Sequence, residues 1–214
     1  MSNLRKMIFL ALIPCTAFAQ RSGDWTVSGT VYYAQPLGSL NSFFVGAPAF
    51  ALKVGQFTDQ NLLWEIKLES ISFTNTNKNS LNQLVRDIPL ELKIYGAAAE
   101  MTYFLNTAGR LKPYVIGSAG MYRWFYNRGS HYAIGIGNSL DSTHFLPSFK
   151  LSDWSAGFSL GSGADYEIAT RLSVYADLRY QLIVGEIWQT LSLGMDNVST
   201  MQMGTVSIGI RYKF

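Results

Sequence analysis

Apolar and polar residues alternate with period two along most of the chain, and the last ten residues show it most plainly. Val206, Ile208, Ile210, Tyr212 and Phe214 fall on one face, and Thr205, Ser207, Gly209, Arg211 and Lys213 on the other. Strict alternation over that length marks a strand. The same pattern places Leu62, Trp64, Ile66 and Leu68 opposite Leu63, Glu65, Lys67 and Glu69. It predicts strands over residues 24–34, 49–57, 61–73, 87–105, 111–127, 153–168, 171–184 and about 201–214. The connections between them run roughly fourteen, three, thirteen, five, twenty-five, two and sixteen residues, so long and short alternate regularly.

A bare apolar row backed by a charged row does not suit a soluble sheet. It suits a sheet whose apolar face meets lipid and whose charged face lines the inside of a closed wall. The predicted fold is therefore all-β: an eight-stranded antiparallel up-and-down transmembrane β-barrel. Short turns would lie at the periplasmic end and long loops outside the cell.

Strand faces follow from parity. In the fourth strand Ile88, Leu90, Leu92 and Ile94 are expected to face lipid, opposite Glu91, Lys93 and Tyr95. Glu100 then falls on the lipid side, where a charge is unfavourable. A bulge between Gly96 and Ala99 is expected to return it to the interior. In the fifth strand Tyr114, Ile116, Tyr122, Trp124 and Tyr126 are assigned outward and Val115, Gly117, Ala119 and Arg123 inward. Aromatic belts are expected at Tyr33, Trp124, Tyr126, Trp154 and Tyr180 near the long loops. A second belt comprises Trp25, Tyr103, Tyr114, Tyr166, Tyr212 and Phe214 near the short turns.

The terminal Phe214, with Tyr212, Ile210 and Ile208 before it, resembles the C-terminal signature of bacterial outer-membrane β-barrels. That resemblance implies that these four residues are read by the barrel-assembly machinery. Leu111-Lys112-Pro113-Tyr114-Val115, with Gly117 and Gly120, and the run Leu172 to Tyr180 resemble segments of the small eight-stranded barrels of the OmpA membrane-domain and OmpW types. The resemblance implies the architecture but not a role, because such barrels include adhesins, anchors, narrow channels and lipid-modifying enzymes.

The N-terminus reads as a secretory signal: Arg5 and Lys6, an apolar stretch from Met7 to Leu12, then Ala17-Phe18-Ala19 before the cleavage point. The predicted division is a signal peptide over 1–19 and a barrel over 20–214, with export to the bacterial outer membrane. Leu12-Ile13-Pro14-Cys15 makes a poor lipoprotein box because of Pro14. Cys15 is the only cysteine, so the mature chain would have neither a disulfide nor a thiolate ligand. The formal charge is +3, and it falls further once the two signal cations are discounted, which argues against a nucleic-acid role.

Parity sends a balanced set of charges inward: Lys53, Lys67, Lys93, Arg123, Arg171, Arg179, Arg211 and Lys213 with Glu65, Glu69, Glu91, Glu100, Asp165, Glu167 and Asp177. An eight-stranded barrel is just wide enough for side chains to fill. Buried charges must be paired, so this set predicts a salt-bridged, mostly closed lumen. The alternative is a narrow OmpW-like channel for small apolar solutes, with an opening near Gly157, Gly161 and Gly163. His131, His144, Ser130, Ser139, Ser142 and Asp141 in the longest loop are the residue types of a nucleophile, base and orienter. The His-x-Ser spacing of the family's lipid A deacylases is absent, so the expectation is a non-catalytic protein with no cofactor and no metal. Phe43, Phe44, Val45, Phe145, Leu146, Phe149 and Trp188 are apolar residues in predicted loops and are candidates for contact with a partner protein. The other expected partners are outer-membrane lipid and lipopolysaccharide.

Overall fold

The computed structural model describes residues 23–77, 89–105, 109–134, 143–184 and 200–214. Eight strands form one closed sheet: β1 (Trp25–Leu37), β2 (Ala47–Asp59), β3 (Leu62–Phe73), β4 (Leu90–Phe104), β5 (Leu111–Arg128), β8 (Phe149–Ala169), β9 (Leu172–Val184) and β10 (Thr200–Lys213). The hydrogen-bonded order around the wall is β1-β10-β9-β8-β5-β4-β3-β2, and every pair is antiparallel. A separate hairpin, β6 (His131–Ile134) with β7 (Thr143–Leu146), stands in the connection between β5 and β8.

Closure is carried by the two ends of the chain. β1 pairs with β10 from Thr26 opposite Lys213 to Leu37 opposite Gln202. The backbones of Trp25 and Phe214 exchange both hydrogen bonds, at 3.2 and 3.0 Å. Ile208, Ile210, Tyr212 and Phe214 form an outward row along this seam, and the Tyr212 and Phe214 rings stack with centroids 6.3 Å apart.

In β1, β2, β3, β8, β9 and β10 the apolar row faces outward, as the alternation predicts. In β4 and β5 the assignment is corrected. Leu90, Leu92, Ile94, Tyr114, Ile116, Tyr122, Trp124 and Tyr126 are buried in the lumen, and Tyr95, Val115, Met121 and Phe125 face out. The expected bulge is absent: β4 pairs with β3 in unbroken register from Tyr103 to Leu92. Glu100 points inward because all even residues of β4 do. The aromatic belts accordingly lose Trp124, Tyr126 and Tyr114 to the interior, and the outer wall gains Tyr95 and Phe125.

The reason lies in the lumen's layering. It is apolar at both ends and charged only in the middle, so period two at either end does not carry the sign it has in the ionic layer. Strand length allows this. About 9–11 residues of tilted strand cross a bilayer, whereas β5 has 18 residues and β8 has 21. Their upper portions rise past the hydrocarbon, and polar residues there can face outward.

Large rings fit inside because glycines make room on neighbouring strands. A Cβ on Gly96 would lie 2.4 Å from one edge of the Tyr122 ring, and a Cβ on Gly157 would lie 2.4 Å from the other. The ring thus rests across the bare backbone of β4 and β8. Gly29, by contrast, has nothing within 4 Å of where its Cβ would stand. Gly157→Val is expected to lower stability by about 1–3 kcal/mol, while Gly29→Val should leave it within about 0.5 kcal/mol. Urea unfolding in lipid vesicles, followed by tryptophan fluorescence, measures both; equal effects would contradict the packing described.

Candidate functional site

Three layers occupy the lumen. The middle one is ionic, and alternation puts it there: β2 and β3 send Lys53, Glu65, Lys67 and Glu69 inward, β4 sends Glu100, and β8, β9 and β10 send Asp165, Asp177, Arg179 and Arg211. Like charges meet across the strands, Lys53 opposite Lys67 and Glu65 opposite Glu100. Such direct pairs are unfavourable, and the side chains reach past them to opposite charges.

Glu100, fully buried, takes Lys53 at 2.5 Å on one oxygen and Arg179 on the other. Arg179 also grips Asp177 in a bidentate pair at 2.7 Å for each bond. Asp177 accepts further bonds from Ser207 at 2.7 Å and Tyr114 at 3.0 Å. A second group centres on Arg211, which reaches Asp165 and, at 3.5 Å, Glu65. Ser28 donates to Glu65 and Ser173 to Asp165, and the Arg211 guanidinium lies 4.8 Å from the Tyr175 ring centroid. In the third group Glu69 takes Lys67 at 3.0 Å, the Tyr32 hydroxyl at 2.6 Å and Gln181 at 3.1 Å.

Above the ions, Leu40, Phe43, Phe44, Phe73, Leu92, Ile94, Trp124, Met201 and Met203 form one buried cluster. A 3₁₀ turn over Gly38–Ser42 folds the first loop into it. The bond from Val45 N–H to the Asn75 carbonyl and that from Asn77 N–H to the Phe43 carbonyl tie this loop to the next one. Below the ions, Leu63, Phe104, Tyr114, Ile116 and Tyr175 fill the lumen toward the short turns.

The candidate residues therefore divide. Lys53, Glu65, Lys67, Glu69, Glu100, Asp165, Asp177, Arg179 and Arg211 lie in the ionic layer. Glu167 pairs with Lys112 at 2.6 Å at the short-turn mouth, where Lys213 sits 5.1 Å from the Phe57 ring centroid. Arg171 is exposed in the β8–β9 turn. Glu91, Lys93 and Arg123 are corrected: they belong to the outward faces of β4 and β5, where Glu91 and Lys93 pair at 2.7 Å. Arg123 lies 5.3 Å from the outward Trp154 ring.

Among the apolar loop candidates, Phe43 and Phe44 are 3% and 2% exposed and belong to the lumen cluster, not to a partner surface. Val45 is exposed, and Phe149 is half-buried beside the Arg128 guanidinium. The Phe145 and Leu146 side chains, Trp188, Ser139, Asp141 and Ser142 lie outside the described residues. The hairpin register sets His144 opposite Ala133 and His131 opposite Leu146. Gly157 and Gly163 are covered by the Tyr122 and Tyr114 rings, so the wall has no opening at either glycine.

Parity alone missed Leu90, Leu92, Ile94, Tyr114, Ile116, Tyr122, Trp124 and Tyr126 as lining. Two signals pointed to them. Counting back by twos from Glu100 reaches Gly96, Ile94, Leu92 and Leu90, and Lys112 shares the parity of Tyr114 through Tyr126.

An all-antiparallel eight-stranded barrel, apolar outside and charged within, is an integral outer-membrane barrel. The chain belongs to the outer membrane protein beta-barrel domain family, whose model matches residues 7–214, and this places it in the bacterial outer membrane. The fold is similar to that of Neisserial surface protein A, at 18% identity over 90% of this chain and 100% of that one, with a TM-score of 0.54. It is also similar to OprG of Pseudomonas aeruginosa, at 13% identity over 92% and 98% and a TM-score of 0.52. Ail of Yersinia pestis, solved with the heparin analogue sucrose octasulfate, matches at 13% identity over 91% and 100%, with a TM-score of 0.51. No curated protein matches the sequence significantly.

Removing Glu100 leaves Lys53 and half of Arg179 without a counter-charge in the lumen. Breaking a buried pair in this way costs about 3–5 kcal/mol, whereas replacing both partners by apolar groups is often near neutral. Glu100→Met is therefore expected to destabilise the barrel by that amount, and Lys53→Met with Glu100→Met should recover most of it. Urea midpoints in lipid vesicles test this; a single variant as stable as the parent would contradict the pairing.

Proposed function

We propose that the protein is a non-catalytic outer-membrane barrel with a closed lumen, acting as a structural or surface-interaction protein through its extracellular end. The signal peptide is removed before Gln20, and the seam row Ile208, Ile210, Tyr212 and Phe214 engages the barrel-assembly machinery during insertion. One observation carries the reading: three successive layers of side chains fill the lumen, and the ionic layer satisfies its charges internally. A conducting pore needs charges that face water. The long loops and the strand ends beside them are then the surface left to meet other molecules.

A second reading has one observation in its favour. The upper lumen is lined by Leu92, Ile94, Trp124, Met201 and Met203, a lining that suits a small apolar solute once the first loop withdraws. The ionic layer beneath opposes passage, because such a solute would have to displace paired charges.

Planar-bilayer recordings on the purified protein should show no resolvable conductance, and lipid A from overexpressing cells should keep its mass. Stepwise openings would overturn the closed lumen, and a mass shift in lipid A would overturn the non-catalytic reading.

A further inference from the structure

On the outer wall of β4, β5 and β8, three cross-strand rows stack above the hydrocarbon-facing surface. The first is Tyr95, Arg123 and Trp154, the second Lys93, Phe125 and Ser152, and the third Glu91, Asn127 and Lys150. Below them lies a row of Ala97, Met121 and Ala156, so on β5 the outward residue changes from apolar Met121 to cationic Arg123 in one step of the alternation. This is where β5 and β8 outrun the bilayer, and the surface over the second and third rows is concave, a shallow groove of about 450 Å³ lined by Glu91, Lys93, Phe125, Lys150 and Ser152 among others, with Arg123 at its edge against Phe125 and Ser152.

The chemistry of the groove is that of a phosphate seat on an aromatic floor. Arg123 is held over two outward rings, 5.4 Å from Phe125 and 5.3 Å from Trp154, and donates to Ser152 at 3.3 Å. That arrangement fixes its stem and leaves donors of the guanidinium for a ligand. Lys93 is partly exposed and bonded to Glu91. Lys150 is exposed and makes no ion pair among the described residues. By sheet spacing, Lys93 and Lys150 lie about 12 Å apart at Cα, with Arg123 between them and nearer the membrane. Three cations thus face one acid on a wall whose next row down is apolar.

We infer that this groove binds the phosphorylated headgroup of a glycolipid of the outer leaflet, with Arg123, Lys93 and Lys150 holding phosphate oxygens. Two features of the groove select this occupant. Its charge complements the net positive groove. Its acyl chains would continue down over the apolar row of Ala97, Met121 and Ala156 directly beneath. A soluble anion would use only the upper rows and would have no reason to sit at the edge of the apolar band. The site lies wholly on the outside of the wall, so it does not depend on whether the lumen conducts.

The test is native mass spectrometry of the full chain released from nanodiscs that contain purified diphosphoryl lipid A in phosphatidylcholine. The wild-type barrel should retain lipid A. Arg123→Gln, Lys93→Gln and Lys150→Gln combined should reduce retention about tenfold. Arg110→Gln with Arg171→Gln, which removes exposed charge at the opposite end, should leave it unchanged. Lipid A stripped of both phosphates should be lost from the wild-type barrel to the same degree, an arm that needs no variant to fold. Equal retention by the triple variant, equal retention of dephosphorylated lipid, or full displacement by phosphatidylglycerol at equal concentration would each overturn the inference.

Discussion

Everything in this molecule rests on the impossibility of leaving a peptide group unpaired in hydrocarbon. A strand cannot end its sheet inside a bilayer, so the first strand must find the last. Here Trp25 and Phe214 close the ring backbone to backbone, and the register between β1 and β10 runs unbroken over the whole seam. The terminal apolar row is then both the lipid-facing side of the closing strand and the part of the chain that completes the ladder.

Closure creates a second problem, because it encloses a narrow space that must be filled. The chain solves it differently at each height. Charges fill the middle, where six of the eight strands contribute charged side chains long enough to meet across the axis. Rings and aliphatic side chains fill both ends, and glycines give the rings room. The ionic layer is a network more than a set of pairs: Glu100 serves two cations and Arg179 two acids. A network of that kind holds one arrangement of side chains, and it resists entry by anything that cannot replace the bonds it breaks.

The fold was legible because lipid outside and charge inside give period two an unambiguous sign in most strands. Trp64 through Glu69 and Thr205 through Phe214 show it most plainly. The sign failed in β4 and β5 for a physical reason. Near the long-loop end the interior is apolar and the exterior is above the bilayer, so Leu92 with Lys93, and Trp124 with Arg123, alternate with inside and outside exchanged. No local pattern separates that case from its mirror image. Only continuity along the strand does, from Glu100 in β4 and from Lys112 in β5. Phe43 and Phe44 were misread for a related reason: an apolar pair between two strands looks like an exposed patch until the loop is seen to fold into the barrel mouth. The pairing partners inside the lumen, such as Tyr32 with Glu69 and Ser207 with Asp177, depend on which strands face each other across the axis. Sequence spacing holds no record of that.

The face assignment of β5 is the most exposed point of this account, since the filled lumen depends on its aromatic row pointing inward. Brominated acyl chains quench tryptophan only on contact. In a chain whose native tryptophans are replaced by phenylalanine, Val115→Trp should be strongly quenched in brominated-lipid vesicles and Tyr114→Trp should keep its fluorescence. Quenching of the residue-114 probe as strong as that at residue 115 would contradict the inward row and the closed lumen with it.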